Sequence, residues 1–416
     1  MMKWVKDRAA LGTAARVPIK SWCEPLDAGA FEQARNLACH PVVQKHVALM
    51  PDAHVGYGMP IGGVIACDNA VIPNAVGVDI GCGMGAVQTN LPRAAFAEKR
   101  RVRALLDAVK VRVPVGEGHS HRAPQAWEGF DRFEAAVAGH EPAWLTPKGW
   151  SRDRKNLGTL GGGNHFIELQ ASTDKQVWLM LHSGSRNLGH RVASHHHKLA
   201  QRLNTRWHTH LPHQDLAFLP ADTDEGRAYV RDMQLALDYA RENRRRMMQA
   251  FKEALGELQS DVEFLQEINI HHNYAAIEHH FGRNLWVHRK GATSAQSGEM
   301  GIIPGSMGTP SYIVRGLGNA DSFMSCSHGA GRCMGRKEAS RRLTLDECNA
   351  AMDGVVFDRW QKARRRKKGK RKPSQDPGYD FGEAPQAYKD IDAVIEAEDD
   401  LVEAVVRLRP LGVVKG

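Results

Sequence analysis

Apolar residues recur along this chain with two periods, and the switch between them predicts its elements. From 225 to 258 the positions Tyr229, Met233, Leu237, Tyr239, Met247, Phe251 and Leu255 fall at helical spacing with arginines between them. This predicts one long amphipathic helix whose Arg241, Arg244, Arg245 and Arg246 form a charged face, open to solvent or to RNA. Shorter helical patterns cover 31–37, 95–110 and 187–207. Another helical region follows Arg332 to about 363, and a last helix at roughly 390–404 precedes a short strand. Strands are predicted where apolar runs are short and bounded by glycine. These are 47–58, 62–66 and Gln176-Val-Trp-Leu-Met-Leu-His182, which delivers a histidine at its end. The stretch 292–318 predicts two short strands around a tight turn, 114–155 reads as irregular, and 373–386, rich in Pro, Gly and Asp, reads as a flexible linker.

Composition narrows the class. A chain of 416 residues, 42% hydrophobic and 25% charged, can bury a large core as one big domain or two ordinary ones. No apolar run approaches membrane-spanning length, and the start Met-Met-Lys-Trp-Val-Lys-Asp lacks the apolar core of a signal peptide. Seven cysteines without a C-x-x-C pair argue against a disulfide framework and for reduced thiols in a cytoplasmic protein. The formal charge of +9 is concentrated in Arg364-Arg-Arg-Lys-Lys-Gly-Lys-Arg-Lys372, without which the chain is close to neutral. Any electrostatic footprint for an anionic partner must therefore come from that run and from local clusters.

Candidate chemistry centres on Gly77-Val-Asp-Ile-Gly-Cys-Gly-Met-Gly85. Four glycines in nine residues disfavour a helix or a central strand and predict a bent loop that brings Asp79 and Cys82 together as metal ligands. An isolated D-x-x-C is more often a buried cysteine beside a turn aspartate. Four further segments of the same character tip the balance: Gly161-Gly-Gly-Asn-His-Phe166, Leu181-His-Ser-Gly-Ser-Arg186, Ile270-His-His-Asn273 and Ser325-Cys-Ser-His-Gly-Ala-Gly-Arg332. Each sets histidine beside small backbone that a metal or phosphate can approach closely. Adjacent strand residues face opposite ways, so at most one of His271 and His272 reaches a common site. Asp52 and His54, on alternate positions after an apolar run, read as groups that support those ligands or touch substrate. The triple His195-His-His197, spread around a helix, and His208, His210 and His213 read as solvated surface.

Taken in order and spacing, these motifs and the Pro304-Gly-Ser-Met-Gly308 turn resemble the RtcB family of RNA ligases over nearly the whole chain. The resemblance implies a single-domain α+β fold spanning 1–416, with the basic run and linker 364–386 inside it and the active site in a central cleft. It implies two manganese ions and GTP, and the joining of RNA 2′,3′-cyclic phosphate or 3′-phosphate ends to 5′-hydroxyl ends in RNA repair or tRNA splicing. Cys82 would bridge the metals, Asp79 and His165 completing one site and His182 and His272 the other. His328 would carry GMP. Asn164, Glu168, Ser306, Gly329, Tyr388 and Lys415 would surround the nucleotide, and Arg186 and Arg332 would hold phosphates.

The residue types suit that chemistry. The chain has no P-loop motif, so cations and arginines must neutralise the triphosphate. One thiolate, one carboxylate and three imidazoles suit a transition metal better than magnesium, and by ligand type alone zinc is as credible as manganese. The metal ligands alone equally support a two-metal phosphoesterase or nuclease, and the basic run alone supports a noncatalytic RNA-binding protein. A GTP requirement with a covalent GMP adduct separates these readings. The motifs specify neither the RNA nor an activating protein partner.

Overall fold

Two β-sheets frame the chain, and the candidate functional segments cluster at one edge of the larger. The computed structural model describes residues 1–360 and 379–416, so the basic run 364–372 lies outside the described residues. The larger sheet runs in the spatial order Phe264–His271, Gly83–Pro92, Gln176–Ser183, Phe166–Ser172, Val402–Lys415, Ser311–Gly316, Met300–Ile303. Neighbours along this path are antiparallel, and Val356–Phe357 adds a short parallel strand against Val402–Lys415. Its end strands approach each other, so the sheet curls around an apolar interior that includes Met84, Trp178, Met180, Ile302, Ile313 and Leu408. The smaller sheet orders Trp4–Lys6, Ile19–Ser21, Val43–His54, Ile61–Cys67, Arg283–Lys290 and Asn273–His280. With strands and helices mixed in this way the α+β expectation holds.

The predicted long helix is present as Asp224–Leu258. Thr223 caps it by accepting the Gly226 N–H, with Asp224 and Glu225 in the first turn where the helix dipole favours negative charge. Its apolar stripe packs on the outer face of the larger sheet through Met247, Met248, Phe251 and Leu255. Arg244 departs from the predicted charged face. It is 1% exposed, because Gly81, Ser183 and Asn269 offer it acceptors beneath the helix.

Other expectations need correction. Residues 114–155 are not wholly irregular, since Glu128–Val137 and Pro147–Asn156 are helices, the second started by Thr146 and Pro147. Phe130, Phe133, Trp144 and Trp150 supply the buried aromatic face, at a spacing that the intervening prolines obscure. The helical region after Arg332 ends at Ala351, as Arg336–Arg342 and Leu345–Ala351, and gives way to Val356–Phe357. The last helix is only Ile391–Ala397, and the final strand, Val402–Lys415, is 14 residues long. Within the expected linker, 379–386 is packed: Phe381 and Ala384 are buried beside Cys348. Gly83 and Gly85 lie in a central strand rather than a loop, paired on both sides. A Cβ on Gly83 would stand 1.9 Å from the Ile270 carbonyl oxygen, so glycine lets two strands approach there. In helix Leu188–Arg206, His196 is buried rather than solvated, its Nε2 2.8 Å from Asp232, which also accepts from Trp144. No helix among the described residues is long and apolar enough to cross a membrane.

Candidate active site

Antiparallel pairing explains how ligands far apart in sequence meet. Cys82 immediately precedes the strand Gly83–Pro92 and His165 precedes Phe166–Ser172, whereas His182 lies at the end of Gln176–Ser183 and His272 follows Phe264–His271. In the register Gly83 faces both Ser183 and His271, and Phe166 faces His182 and Lys415. Strand starts and strand ends therefore share one edge.

There the side chains form two sets that share one atom. Cys82, His182 and His272 converge, as do Asp79, Cys82 and His165, all donor atoms of a set lying within 4.8 Å of one another. Cys82 Sγ is 3.2 Å from His182 Nε2 and 3.6 Å from His165 Nε2, while His165 Nε2 is 3.6 Å from Asp79 Oδ2. His182 and His272 point their Nε2 atoms at each other across 3.4 Å. Two ring orientations are set from behind: His165 Nδ1 faces the Leu160 carbonyl at 2.9 Å and His182 Nδ1 the Asn164 carbonyl at 3.3 Å. A carbonyl can only accept, so each Nδ1 carries the hydrogen and each Nε2 presents a lone pair inward. Burial, reinforced by neighbouring imidazoles, holds His182 and His272 well below the ordinary histidine range and so neutral. Burial, with Asp79 beside it, pushes the Cys82 thiol well above its ordinary value. A bound cation reverses that preference by favouring thiolate. Imidazole, carboxylate and thiolate donors gathered in this way fit divalent transition metals.

The backbone of this cluster is tied from several sides. The His272 N–H donates to the Cys82 carbonyl at 2.9 Å, and Gly81 N–H to Asn273 O at 2.9 Å. Arg244 donates from one nitrogen to the carbonyls of Gly81 (2.8 Å) and Ser183 (3.0 Å), from Nε to Asn269 Oδ1 (2.8 Å) and from its other terminal nitrogen to His271 Nδ1 (3.0 Å). His271 Nδ1 also lies 3.0 Å from the Gly81 carbonyl, and burial, reinforced by Arg244, lowers His271 to about 3. Of the two adjacent histidines only His272 joins the ligand set, as expected. Beside Arg244, Asn243 accepts from the Gly158 and Thr159 N–H groups and donates to the carbonyls of Thr159 and Gly184. Sequence patterning gave no sign of either anchor, because an arginine or asparagine on an amphipathic helix looks solvated.

His328 follows the short strand Ser325–Ser327, and its ring centroid is 4.9 Å from that of His272. Its Nδ1 lies 2.5 Å from Asp52 Oδ2, and its own N–H donates to the same oxygen at 3.2 Å. Asp52, fully buried at the end of Val43–His54, thus fixes the ring and leaves Nε2 as a free nucleophilic atom. His328, His182, Asn164, Ser306, Gly329, Arg332, Tyr388 and Lys415 line one large cavity of about 1430 Å³. Glu168 does not line it. Its carboxyl is buried against Gln170, and burial raises it to about 7. Arg186 also lies outside that lining, with its guanidinium against Gly161 and Nε donating to Thr159 Oγ1 at 3.1 Å. Two further residues on the cavity wall, Glu383 and Arg336, escaped the sequence reading. Glu383 accepts from Tyr388 (2.5 Å) and lies 3.2 Å from Lys415 and 2.7 Å from Arg336. Burial alone would raise its carboxyl, but Lys415 and Arg336 together with the Tyr388 hydroxyl hold it at about 2. Its place among Pro, Gly and Asp residues gave the pattern of a linker.

The family model described as tRNA-splicing ligase RtcB matches residues 33–416. The chain is 41% identical over 424 residues to the RNA-splicing ligase RtcB of Escherichia coli (strain K12), covering 97% of this chain and 98% of the relative. It is 32% identical over 454 residues to the tRNA-splicing ligase RtcB of Thermococcus kodakarensis, covering 93% of this chain and 91% of that one. With the metal-ligand sets, the histidine on its aspartate and the matched length all in place, this chain belongs to the RtcB family.

Proposed function

We propose that this chain is a GTP- and manganese-dependent RNA ligase that joins 2′,3′-cyclic phosphate or 3′-phosphate ends to 5′-hydroxyl ends through a GMP adduct on His328. The observation that carries the reading is the position of His328, held by Asp52 between the two ligand sets and a cavity large enough for a nucleoside triphosphate. The ligase names of the relatives agree with it.

Asp79, Cys82 and His165 would hold one cation and Cys82, His182 and His272 the other. When bound, they neutralise phosphate charge and polarise the P–O bonds. The chain's own groups perform the rest. His328 Nε2 attacks the α-phosphorus of GTP, forming a P–N bond as pyrophosphate leaves. Asp52 takes up the positive charge that develops on the ring at Nδ1. An oxygen of the RNA 3′-phosphate then attacks the same phosphorus and the P–N bond breaks. Finally the 5′-hydroxyl attacks the RNA phosphorus, losing its proton, and GMP leaves. A cyclic phosphate is hydrolysed to the 3′-phosphate before it can accept GMP. Tyr388, Lys415, Ser306 and Gly329 line the nucleotide's cavity, with Arg332 on its wall, and Asn164 stands between nucleotide and ligands. The chain works as one catalytic unit over 1–416, and its seven unpaired cysteines suit the cytoplasm.

The test is incubation with labelled GTP and manganese followed by mass mapping. An acid-labile GMP on His328, absent in His328→Ala, is expected. Hydrolysis of a 3′-terminal phosphate with no joining and no adduct would instead mark a two-metal phosphoesterase, the reading that the ligand sets alone support equally.

A further inference from the structure

A second cavity, of about 230 Å³, adjoins the nucleotide cavity at the ligand cluster. His328, Asn164 and Ile61 line both. The ligand side chains divide between them: His182 faces the large cavity, while Asp79, Cys82 and His272 face the small one. We infer that the small cavity receives the 3′-terminal ribose and phosphate of the RNA, with Lys290 as its anion-binding floor and Tyr57 as the stacking platform for the terminal base. This rests on the ligase reading and names the subsite of its RNA substrate.

Lys290 is the only cationic side chain on that wall, at 6% exposure. Its ammonium donates to the carbonyls of Tyr57 and Asn74 and forms no salt bridge among the described residues; the acidic group that influences it is the more distant Asp215. An ammonium has three N–H donors, so one remains for a ligand. Burial lowers the Lys290 ammonium to about 7, and a phosphate against it would supply the counter-charge that holds its proton. Asn273, on the same wall, is already committed. It donates to the Asp79 carbonyl (3.0 Å) and accepts the Gly291 N–H (2.8 Å). Gly291, at φ +59°, leaves open the space beside His328, since a Cβ there would lie 3.1 Å from His328 Cε1.

The choice of the 3′ end follows from charge and space. Of the two RNA ends, only the 3′ end carries a terminal phosphate, and that phosphate must reach the ligand cluster and the phosphorus on His328 together. A terminal 5′-hydroxyl has no charge that calls for a buried ammonium. The guanosine occupies the other cavity, and the small one has no room for a base as well as a sugar. The base must stay at the mouth, where Tyr57 is 73% exposed. An aromatic ring in solvent at the rim of a site is a sequence-tolerant base platform.

Two measurements test this. First, an oligonucleotide with 5-iodouridine at its 3′-phosphate end is irradiated on the manganese-loaded enzyme and the crosslink is mapped by mass. It should fall on Tyr57, whereas the same base at the 5′-hydroxyl end should not label Tyr57. Labelling of Tyr57 by the 5′-end probe, or labelling by the 3′-end probe only elsewhere, overturns the assignment. Second, enzyme carrying preformed His328–GMP is chased with 3′-phosphate RNA. Tyr57→Ala should slow GMP transfer at limiting RNA by at least about fivefold through a raised apparent KM, as expected for a lost base stack. Tyr57→Phe should restore it. Transfer at the wild-type rate in Tyr57→Ala, or an equal loss in the preceding guanylylation, overturns it. Absence of any adduct on wild-type His328 would instead defeat the ligase reading itself.

Discussion

Replacing Arg244 should uncouple the metal cluster from the helix that holds it. Arg244→Met keeps the volume and the helix propensity but removes the guanidinium and its four contacts. Hydrogen bonds to a charged donor contribute about 1.5–3 kcal/mol each, and the unpaired buried carbonyls of Gly81 and Ser183 add a desolvation cost. Against this, the variant no longer buries a cation that has no carboxylate among its hydrogen-bond partners, which returns part of the loss. A net destabilisation of about 3 kcal/mol is expected, within the range for breaking a buried network. The more specific effect is on metal. Gly81 lies between Asp79 and Cys82, and Ser183 directly follows His182, so one side chain holds ligands of both sets. Loss of a group that orients metal ligands typically lowers affinity by about 10–100-fold. Manganese titration by calorimetry should show that drop for Arg244→Met. Arg244→Lys should fail to restore affinity, because a single ammonium cannot replace the planar fork. Arg245→Met, on the exposed face, should bind as wild type. Wild-type manganese affinity and stoichiometry in folded Arg244→Met would refute the argument that this residue positions the cluster.

Cys82→Ala should lose metal from both sets, since its sulfur is common to them, whereas Cys67→Ala and Cys348→Ala, buried elsewhere, should retain it; equal metal content by elemental analysis would remove the bridging role. Gly83→Ala should be among the most damaging single substitutions, because its Cβ meets the Ile270 carbonyl at 1.9 Å and the Arg244 guanidinium at 3.0 Å. A loss above about 4 kcal/mol in denaturant melts is expected, and a loss under about 1 kcal/mol would show that the two strands can part without cost. Glu398 is buried with one oxygen accepting from the Ser327 N–H, and burial raises its carboxyl to about 8 from an ordinary 4.5. The sign follows: its contribution to stability is fully present below pH 4.5 and is lost as pH rises towards about 8. Glu398→Gln should therefore gain stability over wild type across that window, and a difference that does not change with pH would contradict the raised carboxyl.

Much of the site was legible in the sequence because its residues combine unusual types with unusual neighbours. Cys82, His182 and His328 each lie beside glycine or serine, and Asp79 and His165 within two residues of glycine, and such local features survive without knowledge of strand order. Asp52 was legible as support from its place, with His54, on alternate positions after an apolar run. What holds these groups was hidden. Arg244, Asn243 and Lys290 are buried polar residues whose partners are mostly backbone carbonyls and amides far away in sequence, and nothing local distinguishes them from solvated side chains. His196 was misread because Asp232, its partner, arrives from another helix. Glu383 was missed inside a composition that normally marks a linker, where its ion pairs and the burial of Phe381 decide the structure. The helices in 114–155 were missed because prolines and tryptophans broke the expected period.

Strand order supplies the step that residue types cannot. In an antiparallel sheet each strand's start abuts its neighbours' ends, so a ligand placed before one strand meets a ligand placed after the next. Cys82 before Gly83–Pro92 and His182 and His272 at the ends of its two neighbours obey this rule, as do His165 before Phe166–Ser172 and Lys415 near the chain's end. The alternation also explains why one atom can serve both ligand sets. Gly83–Pro92 is flanked by the strands that deliver His182 and His272, so Cys82 lies between those two, and Asp79 and His165 reach the same sulfur from the loop before it and from the next strand out. A parallel sheet would instead gather ligands only from strand ends, and would have left Cys82 and His165 at the opposite edge from His182. The second wall comes from the smaller sheet, whose Val43–His54 strand brings Asp52 under His328. His328 thus leans on the smaller sheet through Asp52, while the candidate metal ligands gather at the edge of the larger, with His272 at the junction of the two. A change in the packing of the two sheets should therefore alter the distance between His328 and His272 before it disturbs either ligand set.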